Sequence, residues 1–183
     1  MRRAWPAALA LLAGCGLHSG LPDLGRVPPF TLTAEDGSEY GSAQLKGKVW
    51  VANFIFTTCH GPCPRMTARM KSLQEATRDV ADLRLVSITI DPARDTPAVL
   101  AGYGKRYAAD PARWRLLTGS EDGIRKVSLD AFRLGDAGGA LEHSSRFALV
   151  DRDGDIRGYY DTSEAGAIGQ LEQDLRKLAR EKL

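Results

Sequence analysis

The run from Val49 to Phe56 (VWVANFIF) carries no charge, and six of its eight residues are β-branched, aromatic or both bulky and apolar. A stretch of that kind has no face to give to water, so it predicts a strand buried at the centre of a sheet. Other runs repeat the signal: Leu83 to Ile90, Trp114 to Leu117, Arg146 to Asp151 and Asp155 to Tyr160. Between them lie segments with helical spacing. Met66, Met70 and Leu73 make one apolar stripe within 59–78. Thr96 before Pro97 is a helix start running to about Tyr107, 121–132 is a further helix, and Ile168, Leu171, Leu175 and Leu178 line one face of a closing helix over 164–182. Phe30 to Thr33 and Glu39 to Tyr40 predict a hairpin around Asp36-Gly37, Lys46-Gly47-Lys48 a turn, and Asp153-Gly154 the turn of a second hairpin. Strands alternating with helices give an α/β fold. Its central mixed β-sheet is flanked by helices and carries an N-terminal β-hairpin extension. With 183 residues, 43% of them hydrophobic, the chain suits one such domain. No internal repeat interrupts it.

The first residues read as a targeting signal. Met1 to Arg3 are basic, Ala4 to Leu12 are apolar around Pro6, and Leu12-Ala13-Gly14-Cys15 follows. This resembles the bacterial lipobox, which implies that residues 1–14 are a signal peptide and that Cys15 is lipidated. Residues 15–27, containing His18 and several Gly and Pro, read as a flexible tether, and 28–183 as the folded domain. Removing Arg2 and Arg3 leaves 23 basic residues against 23 acids, so the formal +2 belongs to the signal. A neutral domain gives no reason to expect a nucleic-acid partner. No apolar run approaches the ~20 residues of a membrane span.

Chemistry is concentrated in Cys59-His60-Gly61-Pro62-Cys63-Pro64, after the central strand and at the start of a helix. A helix N-terminus favours thiolates, which serve either a redox centre or a soft metal. Three residues separate the cysteines, where the usual dithiol oxidoreductase has two. A short disulfide-closed loop adds little stability. His143 stands just before the strand that opens at Arg146, and Ser145 occupies about the place where thioredoxin-like reductases keep a cis-proline. Two thiolates and one imidazole suit three-coordinate Cu(I). Zinc accepts the same set with a fourth ligand.

The segment from Phe56 to Pro64, with its C-x-x-x-C-P, resembles the Sco/SenC family. So does Asp91-Pro92-Ala93-Arg94-Asp95-Thr96-Pro97, as the block D-P-x-x-D-T-P, and so does His143 ahead of 147–151. The resemblance implies a thioredoxin-like, membrane-tethered copper protein that helps assemble the binuclear copper centre of cytochrome c oxidase. Its partner would be the oxidase's copper-receiving subunit, with the copper donor left unnamed. It implies copper ligands at Cys59, Cys63 and His143, and an acidic residue near the site at Asp91, which reads equally as a turn residue bonding the next helix. His60 replaces the commoner Pro of the family loop and offers a secondary, fourth ligand or a tuner of the thiol pKa, with solvent as its default place. The implied location is a bacterial membrane, the domain facing the periplasm or extracytoplasmic space. A thiol–disulfide reductase with Cys59 attacking and Cys63 resolving is the alternative reading, and a thiol peroxidase using Cys59 a weaker one. Asp151 to Asp155 is a hairpin turn rather than a calcium loop, and Met66, Met70, Trp50 and Trp114 read as packing residues.

Overall fold

The computed structural model describes residues 20–132 and 145–181. Among these, seven strands form one mixed sheet in the order β2-β1-β5-β4-β3-β6-β7. The strands are β1 (Thr31–Ala34), β2 (Glu39–Gly41), β3 (Val49–Ile55), β4 (Leu83–Thr89), β5 (Trp114–Thr118), β6 (Arg146–Val150) and β7 (Ile156–Asp161). The helices are α1 (Ser42–Leu45), α2 (Pro62–Ala76), α3 (Pro97–Arg106), α4 (Glu121–Lys126) and α5 (Ala167–Arg180). The uncharged run is β3, an interior strand beside the central β4, and every residue of it is buried. Strands β3, β4 and β5 are parallel, while β6 lies antiparallel on the other side of β3.

Alternation along β3 divides the core into two layers. Val49, Val51 and Ile55 face Met66, Met70, Leu100, Leu171 and Leu175 from α2, α3 and α5. Trp50, Ala52 and Phe54 face Leu32, Ile124 and Phe132 on the other side. Trp114 and Phe132 are completely buried, as expected of the largest apolar side chains. Phe132 meets Trp50 and Phe54 edge-on, with ring centroids 5.8 and 5.5 Å away. One polar chain crosses the first layer: the Trp114 indole N–H donates to Ser87 Oγ at 3.0 Å, and Ser87 donates to Asn53 Oδ1 at 2.6 Å.

Three boundaries differ from the sequence expectation. Helix α2 begins at Pro62, leaving Cys59 in the loop before it. The residue before a proline is pushed out of the α region, so Gly61 ends the loop and Pro62 opens the helix. The helix expected over 121–132 is α-helical only to Lys126 and continues as a π-helical turn over Val127–Ala131. The closing helix starts at Ala167, because Gly166 before it is left-handed, with φ 85°.

The stretch read as a tether is docked from Leu21 to Val27. Leu24 N–H donates to Ile156 O, Ile156 N–H to Gly25 O, and Val27 N–H to Gly154 O, which adds a partial strand beside β7. The Arg157 guanidinium donates to Leu21 O and Pro22 O and pairs with Asp151 at 2.9 Å. Arg26 forms a two-bond pair with Asp155. Backbone groups on an exposed edge strand need partners, and this segment supplies them.

Candidate metal centre

The chain runs from β3 to β4 to β5 through α2 and α3, then reverses through α4 to β6 on the opposite side of β3. In an open α/β sheet, the crevice outside the carboxyl ends of the strands at such a reversal is the usual ligand site. The loop carrying Cys59 emerges there. Both Cys59 and Cys63 are buried free thiols, 7% and 3% exposed. They sit over an apolar floor that includes Met66 and Met70, whose helical spacing made them core residues as read from sequence.

Several hydrogen bonds fix the two cysteines. Cys59 N–H donates to Phe56 O at 3.2 Å. The Thr67 hydroxyl donates to Cys63 O at 2.8 Å, so its contact with the Tyr103 hydroxyl, also 2.8 Å, has Tyr103 as donor. That chain ties the first turn of α2 to α3. Asp95 holds the loop from beneath. It is fully buried, and its carboxylate accepts from Thr57 N–H at 3.0 Å, Thr57 Oγ1 at 2.5 Å and Thr89 Oγ1 at 2.5 Å. One side chain thereby joins the cysteine loop, the end of β4 and the start of α3.

The two thiols differ electrostatically. Burial works against ionising Cys59, but hydrogen bonding from the Cys63 thiol and from the backbone N–H groups of Cys63 and Gly61 outweighs it, holding Cys59 below its ordinary pKa. Burial pushes Cys63 up to about 12, and its bond to Cys59 adds to the rise. Cys59 is the thiol ready to ionise and Cys63 its donor.

The other expected site residues separate. His60 is exposed to solvent. Asp91 takes the turn role: its backbone O accepts from Arg94 and Asp95, and its carboxylate pairs with Arg94 at 2.8 Å. The buried acid beneath the cysteines is Asp95, which sequence reasoning placed in the D-P-x-x-D-T-P block without a role. Cys15 and His143 lie outside the described residues. Ser145, two residues beyond His143, donates to Asp161 Oδ1 at 2.7 Å, and Ser145 O accepts from Thr162 N–H, which anchors the start of β6. Among the described residues, no three His, Cys, Asp or Glu side chains converge as a metal cage.

The SCO1/SenC family model matches residues 23–180. This chain belongs to the SCO1/SenC family. Three solved structures show the same thioredoxin-like fold. A SCO1/SenC family lipoprotein from Bacillus anthracis is 34% identical with a TM-score of 0.76, the match covering 86% of this chain and 98% of that one. BsSco, described as a member of the Sco family of cytochrome c oxidase assembly proteins with a disulfide switch, is 32% identical with a TM-score of 0.78, covering 90% and 100%. Yeast Sco1 with copper bound is 25% identical with a TM-score of 0.67, covering 86% and 95%. SCO1/SenC membership agrees with the three sequence blocks and with the α/β fold expected from them.

Proposed function

We propose that this SCO1/SenC protein is a copper metallochaperone, anchored to the membrane through a lipid on Cys15, that carries copper on Cys59, Cys63 and His143 to the copper-receiving subunit of cytochrome c oxidase. The observation that carries the reading is the pair of free, buried thiols at the sheet's reversal point, in a family with a copper-bound relative. Soft sulfur donors over a dry thioether-containing floor suit Cu(I), which accepts low coordination numbers. His143 is supported by chain reach. Strand β6 pairs with β3 through Trp50↔Val150, Val51↔Leu149 and Ala52↔Ala148, so it begins beside the carboxyl end of β3, and His143 is two residues, at most about 7 Å, from Ser145. The lipid anchor is supported by Leu12-Ala13-Gly14-Cys15 and by the lipoprotein relative. No described helix is long and apolar enough to cross a membrane.

Three protein ligands leave one face of the ion open. A recipient thiolate adds there, one ligand of this chain leaves, and copper moves without changing oxidation state. Cu(I) titration of the reduced protein should give about one ion per chain, and X-ray absorption of that species two sulfurs and one nitrogen. A sulfur-only shell removes His143 from the site.

Copper binding requires both sulfurs as thiolates, and it must expel the Cys63 proton at any pH below about 12. Between the pKa of Cys59 and that limit, one proton leaves per ion, so apparent affinity should fall about tenfold for each pH unit downward. Below the Cys59 pKa two protons leave, and the fall steepens to about a hundredfold per unit. Competition titrations from pH 6 to 9 read the slope, and a flat profile contradicts thiolate ligation.

The unequal thiols also favour a second reading, thiol–disulfide exchange with Cys59 attacking and Cys63 resolving. His143→Ala separates the two, because copper transfer should fail while exchange survives.

A further inference from the structure

Helices α2 and α3 pack on the same face of the sheet, and both start at the cysteine end. Their outer surface is strongly basic. Arg65, Arg69, Lys71, Lys105 and Arg106 stand against one acid, Glu75, in the last turn of α2. Helix α3 contains no acid at all. Glu75 lies 4.0 Å from Lys71. Arg65, Arg69 and Lys105 are exposed and form no ion pair among the described residues, and Arg106 lies over the Tyr103 ring at 5.1 Å. The side chains between them are small: Pro64, Ala68, Ala98, Ala101 and Gly102 are all exposed, and Val99 is 42% exposed. A low, smooth surface with cations standing out of it permits close approach by another protein.

The imbalance is local. From Cys15 onward the chain is formally neutral, so an excess of four positive charges on α2 and α3 leaves four negative charges in excess elsewhere. On the other side of the cysteine end, one cleft is lined by Glu121 and by Asp91, whose charge Arg94 offsets. Arg65 stands near the cysteine end, while Lys105 and Arg106 lie in the last turn of α3, about 12 Å farther along, so the positive charge extends over the whole α2–α3 face. Such a field orients a partner during approach and can raise association rates about 10- to 1,000-fold.

We propose that the α2–α3 surface is the face on which the copper recipient docks, and that it takes an acidic protein surface. The inference rests on the copper-transfer reading. Two thiolates holding Cu(I) leave a net charge of −1, which repels both an incoming recipient thiolate and any acids beside it. Arg65 and Arg69, on the helix that carries Cys63, offset that repulsion at the point of contact.

The test uses the copper-loaded mature lipoprotein and the apo copper-receiving oxidase subunit of the same cell, both in detergent. Arg65→Glu/Arg69→Glu and, separately, Lys105→Glu/Arg106→Glu should each slow second-order copper transfer about tenfold or more at low salt. The wild-type rate should fall on raising salt to about 0.3 M, and the variants should respond less. Bound copper per chain should be unchanged in both. Wild-type transfer rates in both variants overturn the inference. So does a loss of binding to phosphatidylglycerol vesicles with transfer unaffected, which makes the surface a membrane contact. Association of the two apo proteins, read by sedimentation, separates the two claims. If the wild type takes no copper but charge reversal weakens association about tenfold, the copper reading fails and the docking face stands.

Discussion

Replacing Cys59 and Cys63 together with alanine is expected to take Cu(I) binding from about one ion per chain to none at micromolar protein. Structural zinc sites in zinc-finger peptides reach apparent free energies of about 10–16 kcal/mol near neutral pH, which sets the scale of what such metal ligands supply. Neither His143 nor the exposed His60 can replace two soft anionic donors. The fold should survive the change. Each substitution removes one sulfur from a buried position and costs about 1–2 kcal/mol in lost contacts and cavity. Helix α2 keeps Pro62, the Thr67–Cys63 backbone bond and its stripe of Met66, Met70 and Leu73. Circular dichroism should therefore show a native domain that takes up no copper. Unchanged stoichiometry in this variant would place the copper elsewhere and remove the site described above.

Asp95→Ala should give the largest loss of stability of any single change near the site. The carboxylate is the acceptor for three donors, and the substitution strands the buried Thr89 hydroxyl together with the hydroxyl and backbone N–H of the half-buried Thr57. Hydrogen bonds to a charged group contribute about 1.5–3 kcal/mol each, and bonds sharing one acceptor group are not additive, so the expected cost is about 3–5 kcal/mol. For a domain of this size that corresponds to a melting temperature lower by roughly 6–20 °C. Asp95→Asn should lose less, because the amide oxygen still accepts while its NH2 faces a donor. Copper affinity should drop alongside stability in both, since Thr57 is two residues from Cys59 and the loop loses its floor. A melting temperature within about 2 °C of wild type would show that the three bonds contribute little.

The architecture was legible because its strands are written as contiguous apolar runs. Val49–Ile55 and Leu83–Thr89 fall where the apolar, β-prone segments predict, and Thr96 caps α3 by accepting from Val99 N–H, as its place before Pro97 indicates. The cysteine pair was legible because its spacing and its place after the uncharged strand are local features. Asp95 was not, since its partner Thr57 lies 38 residues earlier and no periodic pattern connects them. The start of α2 was misplaced by three residues because the local stiffness of Pro62 outweighs the helix-forming tendency after Cys59. The docked stretch 21–27 reads as linker by composition. Its order comes from Arg157 and the exposed backbone of β7, 136 residues away for the bond to Leu21.

That docked stretch sets how far the domain can travel. Leu21 stands only six positions after Cys15, a span of about 20 Å at full extension. On the lipid anchor proposed at Cys15, a tether of that length would keep the domain from exploring the surrounding fluid. It would stay in a layer close to the bilayer and meet a membrane-embedded recipient by sliding in two dimensions. Loosening the Arg157 contacts would lengthen the leash and dilute that advantage. The reach of the proposed copper site would then be controlled from the far edge of the sheet, by a residue that touches neither sulfur.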